Sequence, residues 1–364
     1  MPFRIQGQGK KKLAIVGAGN AGCITALHYY KWLPSEFFDI VIYHDPTIPM
    51  ERVGQGTVVT PTELVGRVLD INWYNNPIDA TLKTGVLYED WGKKNDRIFH
   101  HFPLDTMGMH FVPQKFSKYV LECGKFTVIE KTINDPEREI DADWIFDCRG
   151  RQNRDPDNYE PLINPLNSVL LSQKDERDPN LIYTRCVATP NGWTFVIPNK
   201  DSTSYGYLYN NTITSKEDAT EDFLERFNLT EINGDLNFES YGAKNVFVGE
   251  RTILNGNRCF FLEPLEATAL DMYHWVAKYA WNNIMEGANA SICNLEIKRV
   301  MKEVETFVLW HYQTGSKYDS PFWDYAKSLP FNPDDRFKQL LNNELDVNYG
   351  NWQPRSFKNW KDNT

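Results

Sequence analysis

Apolar and polar positions along this chain follow two periods, and the first third opens as a strand–helix–strand unit. LAIVGAGNAG at 13–22 is an apolar run entering a glycine turn, the pattern turns helical through about Leu33, and FFDIVIYHD is a second apolar run ending near Asp45. A loop rich in Gly, Pro and Thr, PTIPMERVGQGTVVTP, leads to a short helix from Thr62 to Leu69. DATLKTGVLYEDW at 79–91 then alternates as one strand from Thr81 to Tyr88. That period places Leu82, Thr84, Val86 and Tyr88 on one face and Thr81, Lys83, Gly85 and Leu87 on the other, with Gly85 leaving open space beside Lys83. Taken alone, such a lysine is an ordinary solvated residue on the wet face of a strand.

FSKYVLECG reads as helix, GKFTVIEKT as strand and DWIFDCRG as an apolar strand ending in glycine. From about Arg151 to Asn180 the chain is rich in Asn, Asp and Pro, which marks a connection into a second, β-rich region. There YTRCVATPNGWTFVIPN predicts a hairpin turning at Asn191-Gly192, TSYGYLYN a third strand, and SKEDATEDFLERF a charged helix capped by Ser215. The end is helical: one helix from roughly Ala267 to Glu286, with Glu266 at its start and Gly287 at its close, another from about Ser291 to Thr314, then a polar, aromatic tail in which only residues from about Lys358 to Thr364 look disordered.

Composition adds exclusions. A formal charge of −10, with one short basic run at Lys10-Lys11-Lys12, argues against a nucleic-acid partner. The six cysteines show neither CxxC spacing nor a dense disulfide framework, which suits buried thiols in a reducing, cytoplasmic setting. No apolar run approaches a membrane span and no signal segment opens the chain. HExxH, GxSxG and Walker patterns are absent, and the seven histidines lack metal-ligand spacing, so no metal is expected, including at His100-His101.

The chemistry starts at Gly17, Gly19 and Gly22, a GxGxxG at the strand-to-helix junction. The first glycine permits the turn, the second lets backbone approach a pyrophosphate, the third lets helix and strand pack, and the helix N-terminus offers its amides to phosphate. With Ala18, Asn20 and Ala21 this loop is a dinucleotide site, and His44 or Asp45 at the end of the second strand is the candidate for the ribose. The motif does not separate FAD from NAD.

Further stretches, in colinear order, make the resemblance specific. VGQGT at 53–57, FDCRG at 146–150, GWTFVIP at 192–198, FLEPLEATAL at 261–270 and HYQTGSKYDSPFW at 311–323, together with Ala80-Thr81-Leu82-Lys83, resemble the motifs of flavin-dependent halogenases of the tryptophan-halogenase type. The chain departs from them at Gln55 for glutamate, Phe195 for tryptophan, Ala267 for serine and Ala269 for glycine. It is also shorter than typical members, most similar to compact phage-encoded ones, with the shortening placed mainly in the substrate region and implying a smaller or more open pocket.

The resemblance implies an α/β fold: a Rossmann-type FAD domain of residues 1–150 and 241–287, including the lysine strand, and a smaller mixed β/helical substrate module of 151–240 and 288–364. It implies a flavin, used as FADH2 with O2, whose C4a-hydroperoxide oxidises halide to hypohalous acid. Gly54, Gln55, Gly56, Thr57, Gly150 and Leu265 would join the glycine loop around the flavin, and halide would lie at the amides of Thr268 and Ala269. Trp193, Phe195, Ile197 and Pro198 would form the barrier between flavin and substrate. Lys83 would receive the hypohalous acid, by hydrogen bond or as a haloamine, and Glu266 would orient the electrophile or take the ring proton. The implied partners are a small electron-rich aromatic substrate and a separate NAD(P)H flavin reductase. A flavin monooxygenase or oxidoreductase without halogenation is the main alternative, favoured by Gln55, Phe195 and Ala269, and a degenerate flavin-binding protein is a third, opposed by the presence of both Lys83 and Glu266.

Overall fold

The computed structural model describes residues 9–49, 53–177 and 181–364. Met50, Glu51 and Arg52 of the Gly/Pro/Thr-rich loop, and the end of the connection at 178–180, lie outside the described residues. The opening unit forms as the pattern predicts: strand Lys11–Val16, helix Asn20–Trp32 and strand Phe38–His44. These sit in a six-stranded sheet ordered 247–248, 252–254, 144–147, 11–16, 38–44, 127–130, parallel except for its first pair. Leu13, Ile15, Ile24 and Leu27 are fully buried, so strand and helix are welded by apolar side chains at the mouth of which the glycine loop opens.

The predicted strand from Thr81 to Tyr88 is two strands. Thr81–Lys83 pairs with Gly108–Phe111 in a three-stranded sheet that also holds Gln55–Gly56. Gly85–Glu89 belongs to a seven-stranded sheet, antiparallel to Arg97–His101 and parallel to Thr184–Thr189. Thr84 is the joint: its N–H donates to Ile182 O at 2.8 Å and its carbonyl accepts from Phe102 N at 2.8 Å. The alternation therefore does not run through, and Gly85 opens no space beside Lys83. A Cβ on Gly85 would stand 2.3 Å from the carbonyl oxygen of His100, so the glycine is there for close strand packing.

Three strands of that larger sheet are the predicted ones, Thr184–Thr189, Gly192–Pro198 and Thr203–Tyr209. Thr189 pairs with Gly192, so the turn is centred on Pro190-Asn191, one residue earlier than predicted. The charged helix Lys216–Phe227 covers one face, its Ser215 cap accepting from Asp218 N. Helix Ala269–Glu286 packs against helix Asn20–Trp32, and helix Ala290–Thr314 packs in turn against Ala269–Glu286. Glu266 does not begin the first of them: residues 265–267 form a separate 3-10 turn, with Glu266 at φ 70° and Ala267 at φ 54°.

The tail is ordered, contrary to the expectation for its last residues. Pro354–Asn363 is a helix that buries Phe357 and Trp360, the latter packed among Tyr88, Trp91, His100 and His311. A one-faced helix with two large aromatic anchors stays ordered even when its other face is charged.

Candidate active site

Lys83 is fully buried, and its ammonium has no hydrogen-bond partner among the described residues. Gly56 lies against it: a Cβ there would be 3.4 Å from Nζ, so the sheet that pairs Gly56 and Lys83 through the central strand Gly108–Phe111 leaves the amine facing bare backbone. The Phe102 ring lies 5.6 Å from Nζ. Burial lowers the Lys83 pKa to about 8, although Cys186 and Glu266 oppose the shift. His110, hydrogen-bonded through Nε2 to Thr184 Oγ1 at 2.9 Å, is held well below the usual histidine range by burial and by the Lys83 charge.

Glu266 is the opposite case, a buried carboxylate supplied with donors. Oε1 accepts from the Tyr88 hydroxyl and lies 2.9 Å from His311 Nε2, and Oε2 accepts from Trp352 Nε1 at 3.0 Å. His311 Nδ1 is 2.8 Å from Phe307 O, so both ring nitrogens face acceptors. Burial alone would raise the Glu266 pKa, but His311, His100 and Tyr88 hold it down at about 2.

Two cavities meet at the turn after Glu266. One, of about 660 Å³, is lined by Glu266, Thr268, His100, Phe102, Trp275 and Trp352 among others. The other, of about 590 Å³, is lined by Gln55, Phe195, Glu263, Thr268, Ala269 and Tyr273 among others. Thr268 lines both and immediately precedes the helix Ala269–Glu286, whose positive end therefore points at their junction. Burial raises Glu263 to about 7, opposed by the Leu265 amide and the Tyr312 hydroxyl that donate to it.

Lys83 lines neither cavity. It is walled from the first by Phe102, and it is brought near Glu266 only to the extent that their charges interact. Phe195 lines the second cavity, whereas Trp193 is fully buried behind it with ring centroids 6.3 Å apart. Gly206 makes room for Phe195, since a Cβ there would be 2.1 Å from its ring. Ile197 and Pro198 continue the same buried strand, and Thr81 Oγ1 donates to Pro198 O at 3.2 Å, tying that strand to the lysine strand.

The glycine loop stands apart, at the six-stranded sheet. Gly17 has φ +105° and a Cβ at Gly22 would be 1.8 Å from Gly17 O, so both are required by the turn; the space over Gly19 is open, as a phosphate would need. Asn20 Oδ1 is buried without a partner, and Ala18 O accepts from Ser117 Oγ at 2.6 Å, while Ala21 is packed in the core. Gly150, at φ +81°, also faces open space. Asp45 accepts from Thr47 N at 2.9 Å and from the hydroxyls of Thr47 and Thr132, and these bonds lower its pKa. His44 Nε2 lies 3.9 Å from Glu130. Gly54 donates to Ser204 Oγ at 3.2 Å, and Thr57 Oγ1 is 2.6 Å from Thr62 Oγ1, which fixes the loop between the two cavities. The donor set, the open backbone and the second cavity thus fit a dinucleotide with a planar ring.

The family model for tryptophan halogenase matches residues 12–127 and 123–359. This chain belongs to the tryptophan halogenase family. Tryptophan 7-halogenase RebH of Lentzea aerocolonigenes is 26% identical over 320 residues, which cover 80% of this chain and 59% of that protein. Tryptophan 6-halogenase ThaL of Streptomyces albogriseolus is 25% identical over 268 residues, covering 69% of this chain and 50% of that protein. The chain thus spans about half to three-fifths of the length of these two curated relatives.

Solved structures show the halogenase fold, a mixed α/β architecture of two domains. BrvH, a flavin-dependent halogenase from Brevundimonas sp. BAL3, superposes with a TM-score of 0.80 at 17% identity, over 98% of this chain and 90% of that one. Tar14, a tryptophan C-6 flavin-dependent halogenase from taromycin biosynthesis, gives 0.81 at 19% identity, over 96% and 90%. Among the described residues no helix is long and apolar enough to cross a membrane, and no group of His, Cys, Asp and Glu could hold a metal ion.

Within this member of the family, sequence reasoning missed Tyr88, Trp352 and the role of His311 as the shell of Glu266. An unbroken strand would put Tyr88 on the face opposite Lys83, and the break at Thr84 removes that reading. His311 lies in the HYQTGSKYDSPFW stretch, whereas Trp352 lies beyond every motif, an aromatic in the tail whose indole N–H needs an acceptor.

Proposed function

We propose that this chain is a flavin-dependent halogenase of the two-component kind, in which a separate NAD(P)H flavin reductase supplies reduced FAD and the substrate is a small electron-rich aromatic ring. Bound reduced FAD would supply, with O2, the oxidation of halide to hypohalous acid. The observation that carries the reading is Lys83: a fully buried amine, without a hydrogen-bond partner, facing the bare backbone of Gly56 in the loop beside the flavin-side cavity. Burying a lysine without a partner is costly, and a reactive amine is what that cost would serve.

Gly17, Ala18, Gly19, Asn20, Ala21 and Gly22 would hold the pyrophosphate, and His44 and Asp45 the ribose, with His44 the less occupied because Asp45 is spent on Thr47 and Thr132. Gly54, Gln55, Gly56, Thr57, Gly150 and Leu265 would border the flavin ring. Halide would be held by Thr268 and Ala269 at the helix N-terminus, where the positive end of the dipole favours an anion. Phe195, backed by Trp193 and followed by Ile197 and Pro198, would keep the ring substrate from the flavin. The substrate would occupy the cavity of about 660 Å³. Lys83 would pass the halogen to it, which requires the Phe102 ring between them to move aside. Of the two roles open to Glu266, orienting the electrophile suits it better, since a carboxylate held at about 2 is a poor base for a ring proton. The division into a flavin domain of 1–150 and 241–287 and a substrate module of 151–240 and 288–364 is part of this proposal, supported by strands 247–248 and 252–254 joining the N-terminal sheet and crossed by strands 85–89 and 97–101, which join the sheet of the substrate module.

The test combines protein, FAD, a flavin reductase, NADH and O2 with chloride, bromide or iodide and a panel of indoles and phenols, indoles first because the named relatives act on tryptophan. Mass spectrometry should find halogenated product, and Lys83→Ala should lose it while oxidising reduced flavin at the parent rate. Oxygenated product without halogen would instead establish the monooxygenase alternative, and equal yields from parent and Lys83→Ala would remove the lysine from the mechanism.

A further inference from the structure

The turn at Tyr349 to Trp352 lies beyond every motif that carries the resemblance, yet it reaches the centre of the site. Its backbone closes on itself, Tyr349 N to Trp352 O at 2.8 Å and Trp352 N to Tyr349 O at 2.9 Å. Trp352 is buried and stacks flat on Phe307, with centroids 4.0 Å apart and planes 14° apart. That stack aims Nε1 at Glu266 Oε2, 3.0 Å away. The neighbouring Asn351 makes a second tie to the helix after the junction, accepting from Trp275 Nε1 at 2.8 Å and donating to Asp271.

Glu266 needs such a hold. Its backbone, at φ 70°, and that of Ala267, at φ 54°, are in the left-handed region that residues with a Cβ enter only when neighbours enforce it. Oε1 has Tyr88 and His311, but among the described residues Oε2 has the Trp352 indole alone. Without that N–H, a buried carboxylate oxygen would lack a protein donor and the carboxylate would be held from the Oε1 side alone.

We infer that Trp352 is a positioning residue for Glu266, fixing the carboxylate from the C-terminal side so that the last turn before the final helix completes the substrate-side wall of the site. The catalytic consequence rests on the halogenase reading; the geometry does not. Acid titration followed by infrared spectroscopy reads the geometry directly, with the Glu266 carboxyl band assigned by its loss in Glu266→Gln. Trp352→Phe keeps the stack and removes the donor, and should protonate Glu266 at a pH about one unit or more above the parent. Trp352→His restores a ring N–H and should return towards the parent value. In a protein that halogenates, product per flavin oxidised should fall about tenfold in the Phe variant and recover in the His variant. Equal titration midpoints in parent and Trp352→Phe, or an unchanged product ratio in a protein that halogenates, overturn the inference. A parent that halogenates no ring overturns the reading of function instead, and the titration still decides Trp352.

Discussion

At the scale of single residues, Lys83 is both a weak point and the best chemical asset. Its pKa of about 8, against an ordinary 10.5, means the folded protein binds fewer protons than the unfolded chain between those two pH values. Stability therefore rises with pH across that window and the lysine is a net cost below it. Lys83→Met should accordingly be more stable than the parent at pH 7, by on the order of 2 kcal/mol, and should lose that rise with pH. Thermal unfolding at pH 7 and pH 9.5 checks both parts. In the proposed function the same value would set the chemistry, since a haloamine would form from the neutral amine, a minority at pH 7 and the majority at pH 9. Product formation per flavin oxidised should rise roughly tenfold towards a plateau above pH 9. A fall with the same midpoint would assign the work to the ammonium as a hydrogen-bond donor.

At the scale of elements, the decisive feature is the break at Thr84, which hands one predicted strand to two sheets. Because of it Gly56, and not Gly85, faces Lys83, and the two glycines make a paired test. A Cβ on Gly85 would meet the His100 carbonyl at 2.3 Å, so Gly85→Ala should cost about 2–3 kcal/mol or more in denaturant unfolding. A Cβ on Gly56 would meet only side-chain atoms, Thr184 Oγ1 at 3.2 Å and Lys83 Nζ at 3.4 Å, so Gly56→Ala should cost less stability than Gly85→Ala and yet lower product per flavin. If Gly85→Ala proves as stable as the parent, the strand break is misplaced. The N-terminal unit was legible because its period and its glycines agree, from Leu13 to Gly22. The break was not, because every residue from Thr81 to Tyr88 is compatible with one strand. Only the partners, Gly108–Phe111 on one side and Arg97–His101 on the other, divide it, and pairing across the chain leaves no local trace. The same holds for Glu266: EPLEATAL reads as a helix start, and it is the tertiary hold of Tyr88, His311 and Trp352 on the carboxylate that accompanies its left-handed turn.

At the scale of the molecule, the C-terminal segment lines the cavity beside Glu266 and packs its final helix against the strand Arg97–His101. Asn359 Nδ2 reaches Phe99 O at 3.2 Å, and Trp360 Nε1 donates to Thr314 Oγ1 at 3.1 Å while its ring contacts His311 at 4.2 Å and Tyr88 at 4.9 Å. Trp360 thus packs against Tyr88, which donates to Glu266 Oε1, and against His311, which lies beside it, and the final helix is part of the core although its other face is charged. Trp360→Ala removes a fully buried side chain of this size and should cost about 3–5 kcal/mol in denaturant unfolding. It should also loosen Tyr88 and His311, so that product per flavin oxidised falls in the protein that remains folded. Nucleotide binding should persist there, because the glycine loop stands at the six-stranded sheet, away from this contact. A variant as stable as the parent would show that the final helix only lies on the surface, and the cavity beside Glu266 would then be open on that side.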